Sequence, residues 1–433
     1  MRDGDTIVAL SSGSLPSGVA VLRLSGPASK KLLIQLGGAL PPPRRLRLTA
    51  LAADGRLIER GLAAWFPAPH SFTGEDCVEL QVHGSRAVVK ALLHWLASQP
   101  AVRLAGAGEF TRRAFENGKL DLTEVEGLGD LITAETEGQR RQALRRMDGE
   151  LSSRLRAWRE RLLDLRAEVE ARLDFSDEGD VAEALPASFS RGLSALRAEL
   201  EGTLAGFTRG RNQREGFRVA LAGPPNTGKS SLLNALADSD LAIVSDEPGT
   251  TRDVREVSLE IGGALVVLVD MAGLRDAASK AEAEGVRRAR EELRRADLVL
   301  WLVAPDVDDS DAPVMGGVET WRVYSKRDLG NPVPTGTLSV SALTGDGIEL
   351  LLERIGAAVG GGSGSDDGLL ISHERDRQAI AQAIGSLETL DLDRLELAGE
   401  ALRYAGEALA RLIGLTDAEA VLDRLFLSFC IGK

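Results

Sequence analysis

Gly223-Pro-Pro-Asn-Thr-Gly-Lys-Ser-Ser231 is the stretch that decides the fold of this chain. It follows the apolar run from Phe217 to Ala222, and a helical pattern begins at Lys229. In such a strand–loop–helix unit, backbone N–H groups surround a β-phosphate, the lysine reaches the β- and γ-phosphates, and the serine hydroxyl binds Mg²⁺. A Gly-rich turn without a ligand is the alternative. The flanking strand and helix favour a phosphate-binding loop (P-loop).

Two segments downstream match the parts of a GTP-binding domain that contact the γ-phosphate. Gly249-Thr-Thr-Arg-Asp253 is a polar turn, placed where a switch loop brings a threonine hydroxyl to Mg²⁺. The apolar run from Ala264 to Val269 predicts a buried strand that leads to Asp270-Met-Ala-Gly273. Asp270 can hold Mg²⁺ through water, and the Gly273 N–H can contact the γ-phosphate.

The predicted base site follows the next two strands. The first of these strands is apolar and ends at Val303, the second ends at Tyr324, and Ser325-Lys-Arg-Asp328 comes directly after the second. The Asp328 carboxylate can accept the two N–H donors that guanine has and adenine lacks, which indicates GTP. Ser341-Ala342 completes the base-binding edge.

This ordered set resembles the small-GTPase module, with departures. Ser325 stands where that pattern has Asn, so we expect altered hydrogen bonds to the base and P-loop and a lower guanine affinity. Met271 replaces a usual Thr, with little expected effect. The segment 305–320 is short and acidic and contains Gly and Pro, at a place where a crossover helix normally lies. Either the strands connect differently there, or that helix is reduced.

Hydrolysis needs a group that orients the attacking water and a cation that neutralises the transition state. Leu274 follows Asp-x-x-Gly and cannot orient water, so an acidic residue must come from elsewhere. We favour Glu282 over Glu284. The alternative is that both are solvated carboxylates at a helix start. Asn226, with carbonyl groups of residues 245–250, could hold a monovalent cation.

The composition suggests a multidomain protein that does not bind nucleic acid indiscriminately. The 433 residues are 43% hydrophobic and 27% charged, and the net charge is −13. The two cysteines, Cys77 and Cys430, give neither a disulfide framework nor a zinc site. No apolar run is long enough to span a membrane, and nothing at the N-terminus has a signal-peptide pattern. We therefore expect a cytoplasmic protein.

The predicted GTPase module interrupts a helical region. Apolar residues from Leu144 to Leu173 recur at intervals typical of one long amphipathic helix, and a second such pattern runs from Phe189 to Phe207. Many arginines make the long helix basic, and a solvated face is favoured over an RNA contact. We predict an N-terminal α+β domain (1–118), a discontinuous helical domain (119–213 and 361–433) and an inserted Ras-like α/β P-loop GTPase domain (214–360).

The N-terminal segment alternates strands and short helices. Strands are predicted at 5–10, 18–24, 61–66 and 76–83, and helices at 28–36 and 85–97. Arg23 lies on one face of an otherwise apolar strand, and Glu79 lies on the polar face of another. The two charges suit a polar small molecule such as a pterin. A salt bridge at the sheet edge explains them equally well.

The chain ends in Leu427-Ser-Phe-Cys-Ile-Gly-Lys433. Cys430 is fourth from the end, but Gly432 and Lys433 fit a prenylation signal poorly. A reactive thiol or a terminal binding group is favoured, and a buried structural cysteine is the alternative.

The combined pattern resembles the MnmE (TrmE) family of tRNA-modification GTPases over essentially its whole length. The resemblance rests on the GTPase signatures and on Ser71-Phe-Thr-Gly-Glu-Asp76, Gly108-Glu-Phe-Thr-Arg-Arg-Ala-Phe115, Lys119-Leu-Asp-Leu122 and Phe429-Cys-Ile-Gly-Lys433. It implies an N-terminal tetrahydrofolate-binding and dimerisation domain, a helical domain and an inserted G domain. The family acts with an FAD- and NADH-dependent MnmG partner, and installs aminomethyl-type groups at carbon 5 of the wobble uridine of certain tRNAs.

The same resemblance implies cofactors and partners. A tetrahydrofolate derivative, 5-formyl- or methylene-tetrahydrofolate, supplies the one-carbon unit, and glycine or ammonium supplies the nitrogen. A homodimer and an MnmG-type FAD-binding protein would form a heterotetramer that acts on tRNA. K⁺ would take the place of an arginine finger when two G domains meet across the dimer.

Residue roles follow by position. GTP would contact Asn226, Thr227, Gly228, Lys229, Ser230, Ser231, Ser245, Gly249, Thr250, Thr251, Asp270, Gly273, Ser325, Lys326, Asp328, Ser341 and Ala342. Mg²⁺ would be held by Ser230 and Thr251, and K⁺ by Asn226, Ser245, Glu247 and Thr250. Folate would be held by Arg23, Glu79, Lys119 and Lys433. Glu282 would orient the water, and Cys430 matches a functionally important cysteine.

Two other functions remain possible from the sequence. A ribosome-associated GTPase switch of the Era type would need an RNA-binding appendage and a basic surface, whereas this chain is acidic. A GTPase-like scaffold that binds without hydrolysing would be compatible with Ser325 and Met271.

Overall fold

The computed structural model describes residues 4–174, 185–243, 256–271, 295–307, 317–330, 332, 334, 336–360, 370–415, 422, 425–426, 429 and 432. The chain falls into two compact units. The first comprises Met1–Gly129, Ser152–Arg159 and Gly406–Lys433, and the second comprises Asp130–Leu151 and Glu160–Ala405. The four segments expected from the sequence stay a prediction.

The first unit is built on a sheet of six described strands in the order β3-β4-β5-β2-β1-β6. Neighbours are antiparallel except β1 and β6, which are parallel. The strands are β1 (Thr6–Leu10), β2 (Ser17–Ser25), β3 (Arg47–Ala53), β4 (Arg56–Phe66), β5 (Cys77–Gly84) and β6 (Val102–Leu104). Helices α1 (Ser29–Gly37) and α2 (Arg86–Ala97) cover one face and enclose an apolar core.

Strands β3 and β6 were not expected from the sequence. The residues that alternate between buried and exposed positions in β3 are largely alanines, which have low β-propensity. Leu48 in addition points to the exposed face. Strand β6 has three residues, too few for a periodic signal. Strand β4 begins at Arg56, earlier than expected, because its residues from Arg56 to Ala63 pair with β3.

The opposite face of this sheet is covered at β1 by helix α3 (Glu109–Glu116), whose Phe110 packs with Ile7 and Ala9. Helix α4 (Leu122–Thr133) follows, and its Leu122 and Val125 pack with Phe426 and Phe429 from the C-terminal segment. Both ends of the chain therefore contribute to the first unit.

The single long helix expected from Leu144 to Leu173 is wrong. Two helices form instead, α5 (Glu137–Met147) and α6 (Glu150–Asp174). Gly149 lies between them with φ 81°, a left-handed conformation that ends an α-helix. The apolar pattern runs across this break, so periodicity alone did not show it.

Further helices complete the helical part of the chain. They are α7 (Ala187–Ala205), α8 (Phe207–Glu215), α11 (Glu374–Glu388) and α12 (Leu395–Leu412). Several arginines of α5 and α6 form ion pairs with nearby carboxylates, which supports a solvated face over an RNA contact. These pairs are Arg140–Glu137, Arg145–Glu150, Arg156–Asp121 and Arg161–Glu199.

A buried ion pair joins α5 to α11. Arg146 Nη1 donates to Asp376 Oδ2 at 2.8 Å, and neither side chain is exposed. The backbone N–H of His373 donates to the same carboxylate oxygen at 3.2 Å. Asp376 thus fixes the start of α11 as well as its contact with α5.

The P-loop lies in a second sheet of six described strands, in the order β12-β11-β10-β7-β9-β8. All neighbours are parallel except the β8–β9 hairpin. The strands are β7 (Phe217–Ala222), β8 (Glu256–Ile261), β9 (Ala264–Asp270), β10 (Leu298–Val303), β11 (Glu319–Tyr324) and β12 (Leu338–Ser339). Helices α9 (Lys229–Ala237) and α10 (Ile348–Gly360) pack on one face.

This strand order confirms the expected P-loop GTPase fold. Strand β7 is central, and the chain continues to opposite sides of it, which places a ligand crevice at its carboxyl end. Strands β10 and β11 are parallel neighbours, so the unusual segment 305–320 does not change their pairing. Residues 308–316 of that segment lie outside the described part.

Among the described residues, we find no helix with the length and apolar character needed to cross a membrane.

Candidate nucleotide-binding site

The P-loop connects β7 to α9 in a conformation that requires glycine at position 223. Gly223 has φ 140°, and a Cβ there would lie 2.5 Å from the Leu302 carbonyl oxygen of β10. Gly228, with φ 86°, caps the start of α9. The loop therefore passes close to β10 and turns its backbone toward the helix N-terminus, the arrangement that binds phosphate.

Lys229 is already held over this loop. Its side chain is buried, and Nζ donates to the carbonyl oxygens of Pro224 at 2.7 Å and Gly223 at 3.0 Å. Thr227 Oγ1 donates to the same Pro224 carbonyl at 2.9 Å. A phosphate in the loop would attract this ammonium group, because a charge-assisted contact is stronger than one to a neutral carbonyl.

Ser230 and Asp270 meet at the predicted magnesium position. The Ser230 hydroxyl donates to Asp270 Oδ2 at 2.6 Å, and Asp270 is buried at the end of β9. A hydroxyl and a carboxylate are the hard oxygen donors that Mg²⁺ takes beside substrate phosphates. These two residues would fit the ion, with Ser230 as the predicted direct ligand.

The predicted base site is assembled from the ends of β11 and β12. Ser341 Oγ donates to Asp328 Oδ1 at 2.6 Å, and Ser341 is buried while Asp328 is exposed. Ala342 follows Ser341 and is half-buried. The structure thus brings Asp328, Ser341 and Ala342 together, as expected.

Ser325 and Lys326 lie between this base edge and the P-loop. Ser325 is buried, and its hydroxyl donates to the Thr227 carbonyl oxygen at 2.7 Å. Lys326 has φ 55°, and its Nζ lies 2.8 Å from Asp306 Oδ1. Ser325 therefore makes a hydrogen bond to the P-loop through its hydroxyl, and the altered hydrogen bonds expected from Ser in place of Asn stay a prediction.

Asp306 was missed in the sequence analysis. The hydrogen bond from Lys326 holds the pKa of its carboxyl below the usual value. Asp306 comes three residues after β10, and the carboxyl ends of parallel strands meet at one edge, so its position was the signal that could have found it.

Several predicted residues lie outside the described part of the chain. They are Ser245, Glu247, Gly249, Thr250, Thr251, Gly273, Glu282, Cys430 and Lys433. Of the remaining nucleotide contacts, Asn226 is exposed with φ 63°, and Ser231 is exposed in the first turn of α9.

Arg23 and Glu79 are paired in the first unit. They are directly opposite each other on β2 and β5, and Arg23 Nη2 lies 2.9 Å from Glu79 Oε1. Both side chains keep about a fifth of their surface exposed. Lys119 is separate from this pair, and its Nζ donates to the Pro69 carbonyl at 3.2 Å. Arg23 and Glu79 therefore form a salt bridge, but the expected place at a sheet edge is wrong, because β2 and β5 are the two central strands. Both groups remain accessible.

An ionic network next to this pair was also missed. Arg113 is buried, and it contacts Asp5 Oδ1 at 2.6 Å and Glu75 Oε2 at 3.0 Å. Burial alone would raise the pKa of Asp5, but hydrogen bonds from Arg103 and Arg113 outweigh it and hold that pKa below its usual value. These residues are far apart in sequence, so no local pattern joins them.

Two protein families match this chain. Residues 6–119 match the family described as "GTP-binding protein TrmE N-terminus", and residues 122–430 match "MnmE helical domain". The chain is similar to the tRNA modification GTPase MnmE of Rhodopseudomonas palustris, with 48% identity covering 99% of each chain. It is also similar to the MnmE of Azorhizobium caulinodans, with 48% identity covering 100% of each.

Solved structures give a weaker likeness. The G domain of the T. maritima FeoB iron transporter is 27% identical, covers 32% of this chain and 95% of its own, and has a TM-score of 0.23. The FeoB G domain from Methanococcus jannaschii is 24% identical, covers 33% of this chain and 98% of its own, and has a TM-score of 0.25. With scores this low, the GTPase fold rests on strand order.

Proposed function

Because this chain belongs to the MnmE family of tRNA modification GTPases, we propose that it couples GTP hydrolysis to a change at carbon 5 of the wobble uridine of certain tRNAs. The observation that carries the GTPase part is the meeting of Lys229, Ser230 and Asp270 at the end of β7 and β9. Lys229 would bind the β- and γ-phosphates, and Ser230 would hold Mg²⁺, which neutralises charge during phosphoryl transfer.

The base would lie against Asp328. Its carboxylate accepts from the Ser341 hydroxyl and keeps lone pairs for the N1–H and 2-amino groups of guanine. Glu282 is proposed to orient the attacking water, on family resemblance alone. The Era-type and scaffold alternatives are disfavoured, because the chain matches tRNA modification GTPases over nearly its whole length.

A potassium ion is proposed at Asn226. This residue lies inside the P-loop, where its side chain is exposed. Its amide oxygen is a suitable ligand for a cation next to the phosphates, with Ser245, Glu247 and Thr250 as the other proposed ligands. The ion would stabilise the negative charge that develops in the transition state.

GTP turnover is therefore expected to be at least about tenfold faster in K⁺ than in Na⁺. The reason is that K⁺ at Asn226 would stabilise transition-state charge, which is the role of an arginine finger. Asn226→Ala should remove most of this stimulation. Asn234→Ala, an exposed asparagine on α9, is the matched control and should keep it. Steady-state phosphate release in the two salts measures the effect, and equal rates for the wild-type protein would contradict the cation mechanism.

A tetrahydrofolate derivative is proposed near Arg23 and Glu79. The Arg23 guanidinium and the Glu79 carboxylate suit the polar edge of the pterin ring. Lys119 and Lys433 would suit the carboxylates of the folate's glutamate part. The ring of Phe72, which is 38% exposed, has its centroid 5.4 Å from the Arg23 guanidinium carbon, so an accessible aromatic side chain is also present. When bound, the folate would supply the one-carbon unit, and these residues would position it. Cys430 is proposed to act next to it.

A homodimer is proposed through the exposed face of the first sheet. Leu48, Leu62 and Val19 are 71%, 37% and 58% exposed there, and they line a cavity of about 220 Å³ together with Gln81 and His83. An apolar patch of this kind marks an interaction surface. An MnmG-type FAD-binding partner and a heterotetramer are proposed from family membership.

Loss of the gene is expected to remove the modified wobble uridine from tRNA, measured by mass spectrometry of tRNA nucleosides. Wild-type protein should restore it. Arg23→Ala should restore less than about a tenth of the modified uridine that the wild-type protein restores, because a charged hydrogen-bonding group would be lost from the folate site. Arg86→Ala is the matched control, since that arginine donates to the Leu15 carbonyl, and it should restore fully.

The outcomes of this experiment separate two proposals. Unchanged wobble uridines in the strain without the gene would contradict the tRNA function. Full restoration by Arg23→Ala would contradict only the folate role of Arg23.

A further inference from the structure

Ser325 occupies an unusual position between the base site and the P-loop. It follows β11 directly, is 7% exposed, and its Oγ lies 2.7 Å from the Thr227 carbonyl oxygen and 3.2 Å from the Val303 carbonyl oxygen. Both neighbours can only accept hydrogen bonds. Since a hydroxyl has one proton, that proton is committed to the protein, and Ser325 offers a ligand lone pairs alone.

Guanine presents two different edges to such a site. Its N1–H and 2-amino groups are donors, whereas N7 and O6 are acceptors. Asp328 suits the donor edge. Recognition of N7 would need a hydrogen-bond donor. Lys326, the residue after Ser325, directs its ammonium group to Asp306, with Nζ 2.8 Å from Oδ1.

We propose that Ser325 tethers β11 to the P-loop and does not read the base, so that this chain accepts guanine nucleotides without regard to N7. The inference rests on the proposed placement of guanine against Asp328. It assigns a substrate class, since nucleotides of 7-deazaguanine, in which a C–H replaces N7, should bind as guanine nucleotides do. It also separates two tasks, because Ser325 shapes the P-loop while Asp328 selects the base.

The test is equilibrium binding of GDP and 7-deaza-GDP to the full-length protein. The two dissociation constants are expected to agree within about twofold, because no hydrogen bond is lost with N7. Binding of 7-deaza-GDP that is tenfold weaker than that of GDP would overturn the proposal.

Two substitutions at position 325 sharpen the test. Ser325→Ala should weaken both nucleotides by a similar factor, roughly 3- to 10-fold, because the buried Thr227 carbonyl loses its donor. The ratio between the two nucleotides should stay near one, and a changed ratio would overturn the proposal. Ser325→Asn adds an amide donor and should create a preference for GDP of roughly 3- to 10-fold.

IDP serves as the control for the underlying base site. Hypoxanthine lacks the 2-amino group, so IDP should bind roughly 10-fold or more weakly than GDP if Asp328 reads that edge. Equal binding of IDP and GDP would contradict the proposed base site, and the inference on Ser325 with it. Binding of both IDP and 7-deaza-GDP that is tenfold or more weaker than that of GDP would overturn the inference on Ser325 alone and leave the base site in place.

Discussion

Lys229→Ala is expected to lower kcat/KM for GTP by about 10²- to 10³-fold, the usual cost of removing one preorganised group that stabilises transition-state charge. Lys229 is 6% exposed, and its ammonium group is held by two P-loop carbonyls. The cation is therefore in place before the nucleotide arrives. Its loss removes charge from the β- and γ-phosphates and also leaves the Gly223 and Pro224 carbonyls without this donor.

The measurement is GTP hydrolysis under steady-state and single-turnover conditions, with the thermal unfolding midpoint as a check on folding. Lys90→Ala is the control, because this lysine is exposed on α2 and belongs to none of the proposed sites. Its effect on kcat/KM should be below about threefold, as expected for an exposed side chain. A Lys229→Ala protein that folds and keeps kcat/KM within threefold of wild type would contradict the assigned role.

The P-loop and its sheet could be predicted because their signals are local. A glycine, a lysine and a serine within nine residues, between an apolar strand and a helix, specify both conformation and ligand. The strands that end at Asp270 and Val303 are short continuous apolar runs, typical of a parallel sheet with both faces covered. Each motif then follows a strand end, and the topology brings the motifs together.

Other features depend on contacts that a linear pattern does not contain. The break at Gly149 lies inside a continuous apolar periodicity, and only the left-handed backbone there separates α5 from α6. Strand β3 forms because it pairs with β4, although its own residues favour strand weakly. The side chains around Arg113 come from residues as distant as Asp5, so burial and charge pairing decide their arrangement.

The contact of Ser325 with the P-loop could not be derived from the sequence. The sequence predicted altered hydrogen bonds to the base and the P-loop, because Ser325 stands where the small-GTPase pattern has Asn. In the structure, the hydroxyl reaches the Thr227 carbonyl because β11 ends close to the loop. Such a distance depends on the packing of two strands and cannot be read from either of them.

Asp376→Ala is expected to destabilise the second unit by about 3–5 kcal/mol, because it leaves the Arg146 guanidinium buried without its counter-ion. Urea denaturation followed by circular dichroism measures the change. Arg146→Met combined with Asp376→Leu should recover most of the loss, since removing both charges also removes their desolvation cost. Glu374→Gln, in an exposed pair with Arg377 on the same helix, should have a much smaller effect. A double variant as unstable as Asp376→Ala would contradict this account.

The same ion pair sets a pH dependence whose direction follows from the pKa of Asp376. Burial alone would raise that pKa, but the positive charge of Arg146, with those of His373 and Arg375, outweighs burial and lowers it far below the usual value. A carboxyl whose pKa is lower in the folded than in the unfolded state stabilises the fold above its unfolded pKa of about 3.9, and this contribution is lost as the pH falls toward the folded pKa. The stability difference between wild type and Asp376→Asn should therefore be constant near neutral pH and shrink below about pH 4. A difference that grew on acidification would mean that Asp376 is protonated in the folded protein at neutral pH, and that Arg146 is neutralised by another group.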